Sequence, residues 1–115
     1  MLVRHERTSI MHRMVENDGV LYLGGITADD CELDVTGQTR QVFRKLADLL
    51  KSAGSSKGAL LSVQIFLTDM AGKEDMNEVW LEWLDSNDLP ARATIGVADL
   101  GPGRLIEVVA TAAIR

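Results

Sequence analysis

Residues 104–113, RLIEVVATAA, constrain the fold more than any other stretch of the chain. Side chains alternate between the two faces of a strand, so Ile106, Val108, Ala110 and Ala112 share one face. Leu105, Glu107, Val109 and Thr111 share the other. A strand this apolar has to pack on a core, which makes Glu107 a charge it could have omitted. The preceding segment LPARATIGVADL, Leu89 to Leu100, raises the same question. Read as a neighbouring strand joined through a turn at Gly101-Pro102-Gly103, it puts Arg92, Thr94 and Gly96 on one face. Ala93, Ile95 and Val97 take the other. A charge in such a strand is paired, lies at an edge, or serves chemistry. An arginine and a glutamate facing one small pocket suit the binding of a small carboxylate beside an activated water.

The rest of the pattern supplies the partners of these strands. Gly19–Gly25, GVLYLGG, is a short apolar strand in which Gly24 and Gly25 mark a bulge or a close backbone approach. Residues 36–53 place Val42, Leu46, Leu49, Leu50 and Ala53 at helical spacing, and Gly54 supplies the stop. Residues 60–68 alternate, with Leu61, Val63, Ile65 and Leu67 opposite Leu60, Ser62, Gln64, Phe66 and Thr68. A second helix, about Lys73 to Leu84, stripes Met76, Val79, Trp80, Trp83 and Leu84. The order is β, open to pairing with an N-terminal strand, then α, β, α, β, β. With 115 residues and no linker or repeat, the expectation is one α+β domain spanning 1–115.

Two helices on such a sheet cover one face. The other, read as Ser62, Gln64, Phe66, Thr94, Leu105 and Val109, is too apolar for exposure and too polar for a monomer core. It predicts a subunit interface with pockets at its rim.

Composition narrows the function. A net charge of -5 gives no electrostatic reason to expect nucleic acid or an anionic membrane as partner. No apolar run approaches the roughly 20 residues that span a bilayer, and MLVRHERTSI has no signal-peptide core. The one cysteine, Cys31, cannot form an internal disulfide. A soluble, reducing, cytoplasmic setting is the expectation. His5 and His12 read as exposed and lack metal-ligand spacing, and Cys31 beside Asp29 and Asp30 is a poor thiolate. No metal or cofactor is expected. Trp80 and Trp83 belong to the core stripe.

The ordered set YLGGIT, GQTRQVFRKLADLLKSAG, VQIFLTDM, MNEVWLEW, PARAT and IEVVATAA, from about Val20 to Ile114, resembles the RidA/YjgF family of enamine/imine deaminases. The resemblance implies a chorismate-mutase-like α+β fold, a mixed sheet with two helices on one face, and a homotrimer with ligand sites between subunits. It implies hydrolysis of reactive 2-imino or 2-enamino acids to 2-oxo acids and ammonia. Residue by residue, it makes Arg92 the clamp on the substrate carboxylate and Glu107 the group that positions water. It sets Gly25 where a backbone amide meets the ligand, Thr94 at a position often cysteine, and Asn77 at a pocket-side asparagine. The chain departs from the family in Ser9-Ile10-Met11-His12-Arg13, where Met11 occupies a tyrosine position.

The chemistry is coherent on its own terms. An imine carbon is electrophilic once protonated, so hydrolysis needs a carboxylate anchor, a positioned water and a dry pocket rather than a metal or covalent nucleophile. Arginine suits the anchor through its planar, permanently charged fork. On pattern alone, an Arg92–Glu107 ion pair fixing strand register is the commoner reading, with Thr94 an ordinary strand residue and Asn77 a cap. A non-catalytic trimer that binds or senses small carboxylate metabolites is the alternative function.

Overall fold

The computed structural model describes residues 1–114. Its strands are β1 (Leu2–Arg7), β2 (His12–Asn17), β3 (Val20–Thr27), β4 (Leu60–Leu67), β5 (Ala91–Gly96) and β6 (Ile106–Ala113). Its helices are α1 (Val35–Ser52) and α2 (Lys73–Trp83). The strands form one mixed sheet in the order β1-β2-β3-β6-β4-β5. All neighbours are antiparallel except β4 and β5. The molecule measures 41 × 37 × 20 Å, and its short dimension is that of one sheet plus one helix layer.

The element boundaries follow from local chemistry. Asp34 caps α1 by accepting from the Gly37 N–H at 2.9 Å. At the other end Gly54 takes φ +83° while Gly54 and Ser55 donate back to Lys51 and Leu50, a Schellman stop. The N-terminal strand that was left open proves to be a hairpin, β1 with β2, and β2 is tied to β3 through Asp18-Gly19. Both of these residues have positive φ, 51° and 79°, as a two-residue hairpin turn requires.

The sheet buries one face. Leu21, Leu23, Val63, Ile65, Leu67, Ile106, Val108, Ala110 and Ala112 pack against Val42, Phe43, Leu46 and Leu50 of α1 and Met76, Val79 and Trp80 of α2. Phe43 meets Trp80 edge-on at 5.8 Å and stacks on Trp83 at 4.7 Å, so both tryptophans serve the helix layer. The two-helix, one-face layout agrees with the sequence.

Three expectations are corrected. The last two strands are not neighbours, because β4 lies between them. The parallel β4–β5 pair needs a crossover, which α2 supplies, and this sends β5 to the sheet edge. The end of β4 then holds both flanks of the returning loop, Val97 N–H on Leu67 O and Thr68 N–H on Leu105 O. Residues 101–103 are therefore a turn in a long connection rather than a hairpin. Leu61 does not join Val63 in the core, since the register shifts between Leu60 and Ser62 and leaves Leu61 exposed. Thr94 does not join Gln64 and Phe66 on the uncovered face, since it lies across from Ile65.

One buried polar side chain ties the helix layer to the start of β6. Gln38 is 0% exposed. Its amide donates to Gly103 O at 2.9 Å and Leu33 O at 3.0 Å, and its carbonyl accepts from Leu105 N–H at 2.9 Å. Replacing it with an apolar isostere strands these backbone groups away from water. Gln38→Leu is expected to lower the unfolding free energy by about 3 kcal/mol, read by urea denaturation. A loss below about 1 kcal/mol shows that the turn finds other partners.

Candidate functional site

Glu107 stands on the face of the sheet that no helix covers. Its neighbours Ile106 and Val108 are buried beneath the helices, and Glu107 itself is half-buried on the opposite side. It lies across from Thr27 on β3 and Phe66 on β4. The space above β3 comes from the predicted glycine bulge, where the β3–β6 register shifts between Leu23 and Ile26. A Cβ on Gly25 would overlap the Glu107 carboxylate. A side chain at Gly25 would push the carboxylate aside, so glycine here leaves the room in which the carboxylate rests. Among the described residues Glu107 has no ion-pair partner. It opens into a cavity of about 530 Å³ lined also by Met11, Gly25, Cys31, Arg13 and Arg104. Met11 and Glu107 therefore line one cavity.

Arg92 stands on the other face. Across β4 it pairs with Val63, and its guanidinium lies 5.0 Å from the centre of the Trp80 ring on α2. Such a cation–π contact holds a cation by about 1 kcal/mol. Burial pushes the Arg92 pKa down from its ordinary value, yet a guanidinium stays charged at neutral pH. No carboxylate pairs with it among the described residues. Thr94, two residues on, shares this face. Asn77 lies one helical turn before Trp80 on the same side of α2. The Thr94 Oγ1 and Asn77 Oδ1 atoms are both buried without a hydrogen-bond partner. A half-buried cation and two unsatisfied oxygens along one helix–strand seam make a polar group in search of a ligand.

The five sequence-derived site residues thus form two groups, Gly25 with Glu107 and Asn77 with Thr94 and Arg92. Within one chain the groups do not meet. Register separates Arg92 from Glu107 by three residues along β4 and by two strand spacings across it, each about 10 Å, on opposite faces. The interstrand ion pair is therefore absent, and so is a common pocket inside a single chain.

The face that carries Glu107 is unpartnered. Tyr22 is 49% and Leu61 47% exposed there, beside half-buried Phe66, Val109 and Thr111, the last bonded to Ser62 Oγ at 2.7 Å. The composition expected of an interface is present, with Thr94 removed from it.

Sequence reasoning missed the role of Trp80 as the platform under Arg92, although its spacing from Asn77 was the available sign. It also missed that Arg13, Arg104 and Cys31 share the cavity of Glu107. His5 and His12 are both half-buried rather than exposed, His5 lying 3.3 Å from Glu16 on the paired strand. Among the described residues no cluster of three or more His, Cys, Asp or Glu side chains can hold a metal ion. None of the helices is long and apolar enough to cross a membrane.

Comparison with known proteins bears on the family and the fold. The family described as Endoribonuclease L-PSP matches residues 8–114. A RutC family protein of Haemophilus ducreyi is 31% identical over 115 residues, covering 100% of this chain and 98% of its own length. An uncharacterized protein from Pseudomonas aeruginosa superposes with a TM-score of 0.95 at 31% identity over 100% of both chains. A YjgF-family protein from Neisseria meningitidis does so with a TM-score of 0.93 at 27% identity, over 100% of this chain and 96% of that one. Sequence order, sheet topology and these matches converge, and the chain belongs to the RidA/YjgF family.

Proposed function

We propose that this protein hydrolyses small 2-imino and 2-enamino acids to 2-oxo acids and ammonia, as a homotrimer of chorismate-mutase-like arrangement with its sites between subunits. The observation that carries the reading is Arg92, a guanidinium over the Trp80 ring with no paired anion among the described residues, flanked by the unsatisfied oxygens of Thr94 and Asn77. A carboxylate supplies the missing anion. The glutamate required for the chemistry faces away in the same chain, so the reading takes Glu107 and Gly25 from a neighbouring copy. Bringing uncovered sheet faces together also buries Tyr22, Leu61 and Phe66.

In this reading Arg92 holds the substrate carboxylate through two parallel hydrogen bonds. The enamine, where it is the form delivered, first tautomerises to the imine. Glu107 accepts a hydrogen bond from water and directs its oxygen onto the protonated C=N carbon. The new C–O bond gives a carbinolamine. Glu107 returns the proton it took from water to the carbinolamine nitrogen, then accepts the hydroxyl proton as the C=O bond forms and the C–N bond breaks; ammonia leaves and takes up that proton as ammonium. Catalysis is positioning and proton transfer throughout. The family description names an endoribonuclease, but a net charge of -5 offers little to a polyphosphate backbone.

The test is suppression of semicarbazide trapping of a 2-imino acid made in situ by an amino-acid oxidase. Arg92→Ala and Glu107→Ala are each expected to lose about 100-fold or more in kcat/KM. Because each removes a different half, mixing the two variants in one assembly restores activity to about a quarter of the sites if partners combine at random. Mixed assemblies without recovery show that the halves do not join across subunits. Wild type that binds 2-oxo acids through Arg92 but suppresses no trapping is a carboxylate-binding trimer instead. Gly25→Ala, whose methyl displaces the Glu107 carboxylate, is expected to lower kcat by about tenfold or more with little change in affinity for a 2-oxo acid, measured by calorimetry.

A further inference from the structure

The cavity around Glu107 holds more positive charge than the proposed reaction uses. Its cations are Arg13, Lys45 and Arg104, and its anions Asp29 and Glu107. Lys45 is engaged. Its ammonium donates to Asp29 Oδ1 at 2.8 Å and to Thr27 O at 2.7 Å, and it is the main cause of a lowered Asp29 pKa. Arg13 adds to the field on Asp29 without reaching ion-pair distance of it. Arg104 folds back over its own turn, where a Cβ on Gly101 would come within 3.0 Å of its Nη1. Among the described residues neither arginine has a carboxylate within 4.0 Å. Two guanidinium groups thus line the same cavity as the water-positioning glutamate, in a chain whose overall charge is -5.

The α-carboxylate of a substrate has its own anchor in Arg92, so these arginines face a different part of the molecule. With C2 of the substrate beside the water on Glu107, the side chain runs on into this cavity. There Ile10 and Met11 line the wall along with the arginines. Ile10 and Met11 suit a methylene stem, and the arginines suit a terminal anion. An uncharged side chain leaves both cations without a counter-charge as the site closes.

We infer that the preferred substrates are dicarboxylic 2-imino acids, the imines of acidic amino acids, with the distal carboxylate held by Arg13 and Arg104. This rests on the hydrolase reading above and names its substrate class. It also assigns the reaction that must supply them, oxidation of an acidic amino acid to its imine. Hydrolysis returns the matching 2-oxo dicarboxylate and ammonia.

The experiment compares the imine of glutamate with that of norvaline, which has the same backbone and a side chain of similar length without the charge. Each is made in situ by an oxidase accepting that amino acid and followed by semicarbazide trapping. Wild type is expected to favour the glutamate imine by about tenfold or more in kcat/KM. The Arg13→Gln/Arg104→Gln double variant is expected to bring the ratio near one, with the change in KM rather than kcat. Equal or better handling of the norvaline imine by wild type overturns the inference, as does a preference that survives the double substitution. Binding separates this from failure of the hydrolase reading. Calorimetry with 2-oxoglutarate and 2-oxopentanoate is expected to show the same tenfold preference and its loss in the double variant, even if neither imine is hydrolysed. Equal binding of the two acids overturns it.

Discussion

Two helices on six strands leave one face of the sheet without cover, and the arrangement of the site depends on that imbalance. The helix-side residues of β3, β4 and β6 form a closed core with α1 and α2. Their other faces carry Tyr22, Phe66 and Val109 beside Glu107, apolar groups at an unpartnered surface. Burying them contributes on the order of 25 cal/mol per Å², which favours assembly through this face. A carboxylate placed there is desolvated only when another copy arrives. Folding positions the glutamate, and association, as proposed above, would give it a dry environment.

The position of Glu107 is held from two directions. Gln38 bonds the turn before β6 through Gly103 and Leu105, so the strand enters the sheet at a fixed height. The β3–β6 register shifts at Gly24–Gly25 where the carboxylate lies, and any side chain at Gly25 would occupy that volume. A buried glutamine with good partners is a strong positional constraint, because each displaced bond leaves a backbone group unsatisfied. Cys31 shares in this packing, since a Cβ on Gly103 would press on it at 2.9 Å.

Both helices, the glycine bulge and the alternation of β6 were legible in the sequence, because each rests on local spacing. Strand order was not. Alternation divides a strand into two faces without saying which one meets the helices, and β5 shows how that misleads. Its more apolar set, Ala93 and Ile95, is exposed, with Ile95 at 37%, while Arg92 and Thr94 lie under α2. Parallel pairing with β4 decides this, and such pairing is a long-range fact. The β2–β3 hairpin does carry a local signal, Asp18-Gly19 between two strand-like runs, which the reading of the sequence did not use. The arginines of the Glu107 cavity were invisible as a group, since Arg13 and Arg104 are far apart in sequence and meet only through the fold.

Placing Arg92 and Glu107 on opposite faces has a chemical consequence. Held at hydrogen-bond distance within one chain, a guanidinium and a carboxylate would bond each other, and a substrate would have to break that pair before binding. Two strand spacings and the thickness of the sheet prevent this. Each group instead keeps its charge available. Among the described residues, Arg92, over the Trp80 ring, has no paired anion, and Glu107, beside the bulge, has no cation at ion-pair distance. If assembly brings the two halves together, a substrate carboxylate can occupy Arg92 first and separate it from the glutamate. In the proposed reaction the base is then left to the water, and the separation of the two charges would set that order of events.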